Sequence, residues 1–281
     1  MLQPANGYFF LNGSWISVSD YASNQFSEGI TIYEVIRVID GIPLFIEEHL
    51  NRLELSAQLI KFDLWLSHKD IERAIYSLID KNSNPESNIQ LFFHHKAESN
   101  SQNFVCRFIQ THYPEKNAYI NGVKSMLFAA ERKNPRVKKT DQSLRSKADH
   151  AISINEVYEV ILINHKYEIT EGSRSNIFFI QGKTILTPLK KNVLAGVTRQ
   201  KVIQLCKENN MECIEQDVKS NYLSNFDAAF FTGTSPKVLP VKSIGQINFD
   251  PGNDLLKRLI KLYDDEIERY IKLAKSGTKK L

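Results

Sequence analysis

The stretch "YEITEGSRSNIFFI", residues 167–180, decides how this chain reads. Tyr167, Ile169 and Ile177 to Ile180 are strand-type residues, yet Glu171-Gly172-Ser173-Arg174-Ser175-Asn176 stands between them. One reading is a solvated polar hairpin. The other is a polar device at the edge of a core: a carboxylate beside a heteroaromatic nitrogen favours the protonated ring, because opposite charge at close range stabilises the cation.

Upstream, "YFFLNGSWISV" (8–18) reads as two strands around Asn12-Gly13, a strong short hairpin signal. "TIYEVIRVID" and "LFI" flank Asp40-Gly41-Ile42-Pro43 as a second hairpin. In "EEHLNRLELSAQLIKF", Leu50, Leu53, Ala57 and Ile60 recur at three and four residues, the buried stripe of a helix. "KDIERAIYSLIDK" predicts another helix, followed by strands in "NIQLFFHHK" and "NFVCRFIQTHY". Polar "PEKNAYING" carries Pro, Asn and Gly and marks a linker.

Downstream, the pattern predicts a strand over 123–130, a helix near 143–156, and hairpins through "YEVILINHKYEIT" and "NIFFIQGKTILTP". A helix in "QKVIQLCKENN", strands in "ECIEQDV" and "AAFFTGT", and a last helix over 253–273 complete the chain. Hairpins outnumber β-α-β crossovers, which favours an α+β fold with largely antiparallel sheets over a doubly wound one. The expected organisation is a small domain over 1–115, a linker over 116–122 and a larger domain over 123–281.

A chain of 281 residues, 42% hydrophobic, can bury cores of this size. The start "MLQPANGYFF" lacks the pattern of a secretory signal and no apolar run is long enough for a bilayer, so a cytoplasmic location is expected. Cys106, Cys206 and Cys213 lack metal-type spacing and read as small buried hydrophobes in a reducing compartment. Net charge is a modest +4, concentrated in "RKNPRVKK" (132–139) and the C-terminal "KSGTKK". Such runs are solvated loops or frayed ends, or contacts for nucleic acid or an anionic ligand.

Three places in the second half carry chemistry. In "LAGVTRQKVI", Gly196 permits close backbone approach and Val197-Thr198 open a helix whose free N–H groups favour phosphate; the bland alternative makes Thr198 a plain N-cap. In "FFTGTSPKVLPV", Thr232, Gly233, Thr234 and Ser235 put hydroxyls at a strand end, or form an ordinary turn. In "RKNPRVKKTDQSL", Lys138 at a strand end is the candidate for a Schiff-base amine and Lys139 its competitor, unless both are solvated.

Taken in order, "FLNGSWI", "IYEVIRVIDGIPLFIEEHLNRLELSA", "VKKTD", "EITEGSRSNIFFI", "ILTP", "LAGVTRQKVI" and "FTGTSPKVLPV" resemble the class IV aminotransferases, the fold-type-IV pyridoxal-phosphate enzymes. That family holds branched-chain aminotransferases, D-amino-acid transaminases and 4-amino-4-deoxychorismate lyases. The resemblance implies pyridoxal 5′-phosphate as cofactor, Lys138 as the Schiff-base lysine with Asp141 three residues on, and Glu171 as partner of the pyridine nitrogen. It places Ser175 and Asn176 beside the ring, Arg52, Val197, Thr198 and Thr234 on the phosphate, and Tyr33 toward substrate. His94 and His95, where a strand leaves the small domain, are candidates for a substrate carboxylate.

The chain departs from the family's pattern in three places. Gly29 is followed by Ile30 and Thr31 rather than Asp-Gly, no Arg-x-His carboxylate trap stands in "AESNSQNF", and Gly233 replaces a frequent hydroxyl. The missing trap argues against strict D-amino-acid specificity. The expected function is a cytoplasmic, homodimeric transaminase of amino acids and 2-oxo acids, with a lyase releasing pyruvate from aminodeoxychorismate as the alternative. Nucleic-acid and membrane partners are not expected.

Overall fold

Asp40 and Gly41 both take positive φ, 52° and 76°, a two-residue turn that suits the right-handed twist of paired strands. It joins β3 (Ile30–Ile39) to β4, which is only Ile42–Pro43. "LFI" is therefore not a strand: Phe45 turns left-handed at φ 54° and Ile46 already opens a helix. A computed structural model of the chain describes residues 5, 7–21, 26, 28–83, 86–99 and 101–277. Most of the N-terminal "MLQPAN", Asn100, and the last lysines of "KSGTKK" lie outside the described residues.

The chain forms two units, Met1–His112 with Val137–Thr140 and Ile267–Leu281, and Tyr113–Arg136 with Asp141–Glu266. In the first, β1 (Tyr8–Leu11), β2 (Ser14–Ser17), β3, β4, β5 (Ser87–Lys96) and β6 (Ser101–Ile109) form one sheet in the order β2-β1-β6-β5-β3-β4. Alternation sends Ile32, Ile36, Ile89, Leu91, Phe93, Phe104 and Cys106 to one face. There they pack against Leu50 and Leu53 of α1 (Ile46–Leu59) and Ile71, Ile75 and Leu78 of α2 (His68–Asn82). Phe9, Phe26, Phe92 and Val105 make a smaller cluster with Tyr33 and Tyr21.

Residues 137–140 come to this unit because they continue its sheet. Tyr33 N donates to the Lys138 carbonyl at 3.1 Å, Thr140 N to the Thr31 carbonyl at 3.1 Å, and Lys139 bridges Ile32. The 116–122 segment read as a linker is mostly a short helix, α3 (Lys116–Asn121), ended by Gly122 at φ 68°.

The second unit holds β7 (Val123–Ala129), α4 (Gln142–Asn155), β8 (Glu159–Ile163), β9 (Glu168–Gly172), β10 (Asn176–Gln181), β11 (Thr184–Thr187), α5 (Val197–Glu208) and β12 (Glu212–Glu215). It continues through β13 (Val218–Lys219), β14 (Ala228–Gly233), β15 (Lys237–Ile244) and β16 (Ile247–Asn248) into α6 (Asp254–Lys275), whose end is grouped with the first unit. The strand order is β12-β11-β10-β14-β15-β7-β8-β9-β13, with β16 on β15. Three parallel pairs, β7 with β8 across α4, β11 with β12 across α5, and β15 with β7, interrupt an otherwise antiparallel sheet.

β9 pairs with β8 and β13, β10 with β11 and β14, and the two strands do not pair with each other. The hairpin reading of residues 167–180 is excluded. Tyr167 is not a strand residue either: it sits at φ 58° and is 70% exposed, its turn capped by Asn164.

Candidate active site

Because no ladder joins β9 to β10, their junction is held by side chains. Glu171, 3% exposed on β9, accepts from Arg132 Nε on Oε1 at 2.9 Å, and from Leu194 N at 3.0 Å and Asn176 Nδ2 at 3.3 Å on Oε2. Arg132 Nη2 also donates to the Ser173 carbonyl at 2.6 Å. Asn176, the first residue of β10, gives its Nδ2 to the Leu194 carbonyl at 2.9 Å, so the loop before α5 is fastened to the same point. The buried carboxylate thus accepts from a guanidinium and two N–H donors, partners that suit an anion.

Ser175 lies in the turn itself, and its hydroxyl donates to Glu159 rather than standing free. α5 begins at Val197 with Gly196 as N-cap and no side-chain cap, and Thr198 is the second helical residue. The plain N-cap alternative for Thr198 is thereby excluded. Its Oγ1 accepts from Tyr263 at 3.3 Å. Thr234 lies in the turn between β14 and β15, half-buried. Two residues upstream, Thr232 is 1% exposed and its Oγ1 has no hydrogen-bond partner among the described residues.

Gly196 and Gly172 both leave space that any other residue would fill. A Cβ on Gly196 would land on Asn176 Oδ1, and one on Gly172 on Ser175 Oγ, each far inside van der Waals contact. Gly196 has an ordinary φ of −58°, so close approach and not backbone conformation requires it.

In the first unit, Lys138 follows buried Val137, and its backbone N donates to Ser56 Oγ of α1 at 3.2 Å. Its Nζ stands 4.8 Å from the Tyr33 ring centroid, a cation–π distance. Lys138 and Tyr33 are thus brought together. Arg52 is buried, and it donates from Nε and Nη2 to Glu34 at 2.7 and 2.5 Å. His49 Nδ1 joins Glu34 at 2.9 Å. Burial pushes the His49 pKa down against the pull of Glu34, and the Arg52 and Lys138 charges add to that push.

Strand alternation separates the two histidines. His94 is 3% exposed, hydrogen-bonded through Nδ1 to Thr31 Oγ1 at 2.9 Å, with its ring edge-on to Phe26. Burial and the nearby His95 and Lys96 lower its pKa, which favours the neutral ring. His95 takes the opposite face, edge-on to Phe62. Gly29 is obligatory below them: at φ 103° its Cβ would stand 2.5 Å from the His95 carbonyl. Lys96 pairs with Glu28.

Arg132 and Glu159 were not singled out by the sequence. Arg132 stands in a basic run whose other members are solvated or half-buried, and Glu159 heads the apolar run "VILI". An acid at the start of an apolar, largely buried strand was the available signal. Asp141, expected three residues after Lys138, caps α4 by accepting from Leu144 N at 3.0 Å. No described helix is long and apolar enough to cross a membrane.

The family model described as amino-transferase class IV matches residues 31–244. A D-alanine aminotransferase of Bacillus licheniformis is 32% identical over 243 residues, 78% of this chain and 80% of its own. An aminodeoxychorismate lyase of Bacillus subtilis is 24% identical over 283 residues, 93% of this chain and 95% of its own. Among solved structures, the branched-chain amino acid aminotransferase of Escherichia coli is similar with a TM-score of 0.84 at 22% identity, covering 94% of this chain and 95% of that one. That likeness establishes the two-domain α+β fold of fold type IV, and the sequence match establishes the family: this chain is a member of the class IV aminotransferases.

Proposed function

We propose that the chain transfers an amino group between an amino acid and a 2-oxo acid, with Lys138 as the covalent and proton-transferring amine. Class IV enzymes depend on pyridoxal 5′-phosphate, which when bound supplies an electron sink for the bond being broken at the α-carbon. The residues present fit that group. The orphaned, buried Thr232 hydroxyl and the N-terminus of α5, which no side chain caps, support a phosphate-bearing ligand at this end of the second unit.

Each residue then has a task. Val197, Thr198 and Thr234 hold the phosphate through helix N–H groups and hydroxyls, and Arg52 adds positive charge. Glu171 keeps the ring nitrogen protonated, its own charge fixed by Arg132, while Asn176 fastens the adjoining loop and Ser175 the turn. Lys138 Nζ would take the proton from the substrate α-carbon as general base and give it up as general acid at the cofactor carbon that takes over the amino group. Tyr33 confines the Lys138 ammonium and faces the substrate, with His94 and His95 at the strand end beyond. His94, whose neutral ring is favoured, orients a carboxylate by hydrogen bonding and not by charge. The enzyme is read as a cytoplasmic homodimer whose partner chain completes the substrate site, without nucleic-acid or membrane partners.

The observation that carries this reading is Glu171: a buried carboxylate at an unpaired strand junction, locked on both oxygens. The test is Lys138→Ala beside Lys139→Ala, each reconstituted with pyridoxal phosphate. The yellow absorbance must vanish in the first and persist in the second; the reverse would overturn the assignment. An amino-donor screen with L- and D-amino acids, with 2-oxo acids as acceptors, checks the reaction. The lyase relative favours a second reading on the same residues: pyruvate released from aminodeoxychorismate without any amino acceptor would replace the transaminase assignment.

A further inference from the structure

We infer that Glu159 is a positioning residue for Glu171, a carboxylate that replaces the missing strand ladder between β9 and β10; the inference rests on the reading of Glu171 given above. Glu159, 2% exposed at the head of β8, accepts four hydrogen bonds. Oε1 takes Ser173 Oγ at 2.7 Å and Val160 N at 3.1 Å; Oε2 takes Arg174 N at 3.1 Å and Ser175 Oγ at 3.1 Å. Every residue of the turn between Gly172 and Asn176 therefore donates to this one side chain. Ser173 N also donates to the Val160 carbonyl at 3.0 Å, which seats the turn on β8.

The two ends of that turn are Glu171 with Gly172 and Asn176, and Glu171 and Asn176 bond to each other. Fixing the turn thus fixes the direction of the Glu171 carboxylate. The fit is tight: a Cβ on Gly172 would collide with Ser175 Oγ and stand 3.2 Å from Glu159 Cγ and Oε2.

The pattern requires a carboxylate and not merely a polar side chain of that size. Each oxygen accepts from a backbone N–H, Val160 on one and Arg174 on the other, and a backbone N–H cannot reverse its role. A glutamine in either orientation sets its NH₂ against one of them. The serine hydroxyls can turn, but the amides cannot.

The experiment compares Glu159→Gln, Ser173→Ala and Glu171→Gln in the full chain, loaded with pyridoxal phosphate carrying ¹⁵N in the ring. The readouts are the ring ¹⁵N chemical shift, cofactor dissociation constant and circular dichroism. The expected result is that Glu159→Gln moves the ring signal toward the position seen in Glu171→Gln and weakens cofactor binding about ten-fold. Ser173→Ala moves it the same way by less. A ring signal unchanged in both variants, with Glu171→Gln shifted, overturns the inference alone and leaves Glu159 a purely structural acid. Should Glu159→Gln fail to fold, the Ser173→Ala shift decides. An unmoved signal in Glu171→Gln overturns the reading of Glu171 and the inference with it.

Discussion

Arg52 grips Glu34 on both carboxylate oxygens, Nε to Oε1 at 2.7 Å and Nη2 to Oε2 at 2.5 Å, with both side chains buried. Burial pushes the Glu34 carboxyl up, but the Arg52 charge and hydrogen bonds, joined by His49, outweigh it and hold it at about 2. Because the folded value lies below the ordinary 4.5, the stabilisation is complete above about pH 4.5 and is lost as pH falls toward 2. Glu34→Gln is expected to lower stability by about 3 kcal/mol at pH 7, with the gap to wild type closing between pH 4.5 and 2. Urea unfolding across that range checks it; a gap independent of pH would show that the pair contributes through shape alone.

The same pair shows what sequence could and could not give. The hydrophobic pattern and turn signals marked β1, β2, β3, β5 and β6 of the first unit and, through Leu50, Leu53 and Ala57, the buried stripe of α1, because burial on one face writes its period into the chain. They could not identify neighbours. Glu34 and Arg52 meet only because β3 and α1 pack, and Glu171 meets Arg132 across a junction that alternation reads as a hairpin. β15 carries little strand signal in the sequence because Pro236 precedes it and Pro240 stands within it, residues that demote a strand in isolation. The turns proposed to hold phosphate were visible as glycine and hydroxyl clusters; Thr232 was visible as one of these, but its unpartnered burial was not.

Arg132 links Glu171 to the turn, one N–H to the carboxylate and one to the Ser173 carbonyl. Its side chain is about a quarter exposed, so solvent screens part of the interaction. Arg132→Met is expected to destabilise the fold by about 1–3 kcal/mol and to weaken pyridoxal-phosphate binding several-fold. Arg132→Lys keeps the charge and loses the fork, so it recovers part of the stability but less of the affinity. Thermal unfolding and cofactor titration of both variants separate the two contributions. Equal cofactor affinity in all three proteins would remove Arg132 from the site.

Gly196 is constrained by space, and that makes a sharp prediction. Asn176 cannot swing away from a new Cβ without giving up its bonds to the Leu194 carbonyl and to Glu171, at 2.9 and 3.3 Å. Gly196→Ala is therefore expected to cost about 1–3 kcal/mol through overpacking and to weaken cofactor binding, because the displaced Asn176 loosens both Glu171 and the start of α5. Gly182→Ala is the control: at φ 58° with nothing within 4 Å of its Cβ, it strains the backbone by about 1–2 kcal/mol without crowding any neighbour. The two variants should lose comparable thermal stability, yet only Gly196→Ala should lose cofactor affinity. If both bind pyridoxal phosphate as tightly as wild type, the close approach at Gly196 serves packing alone.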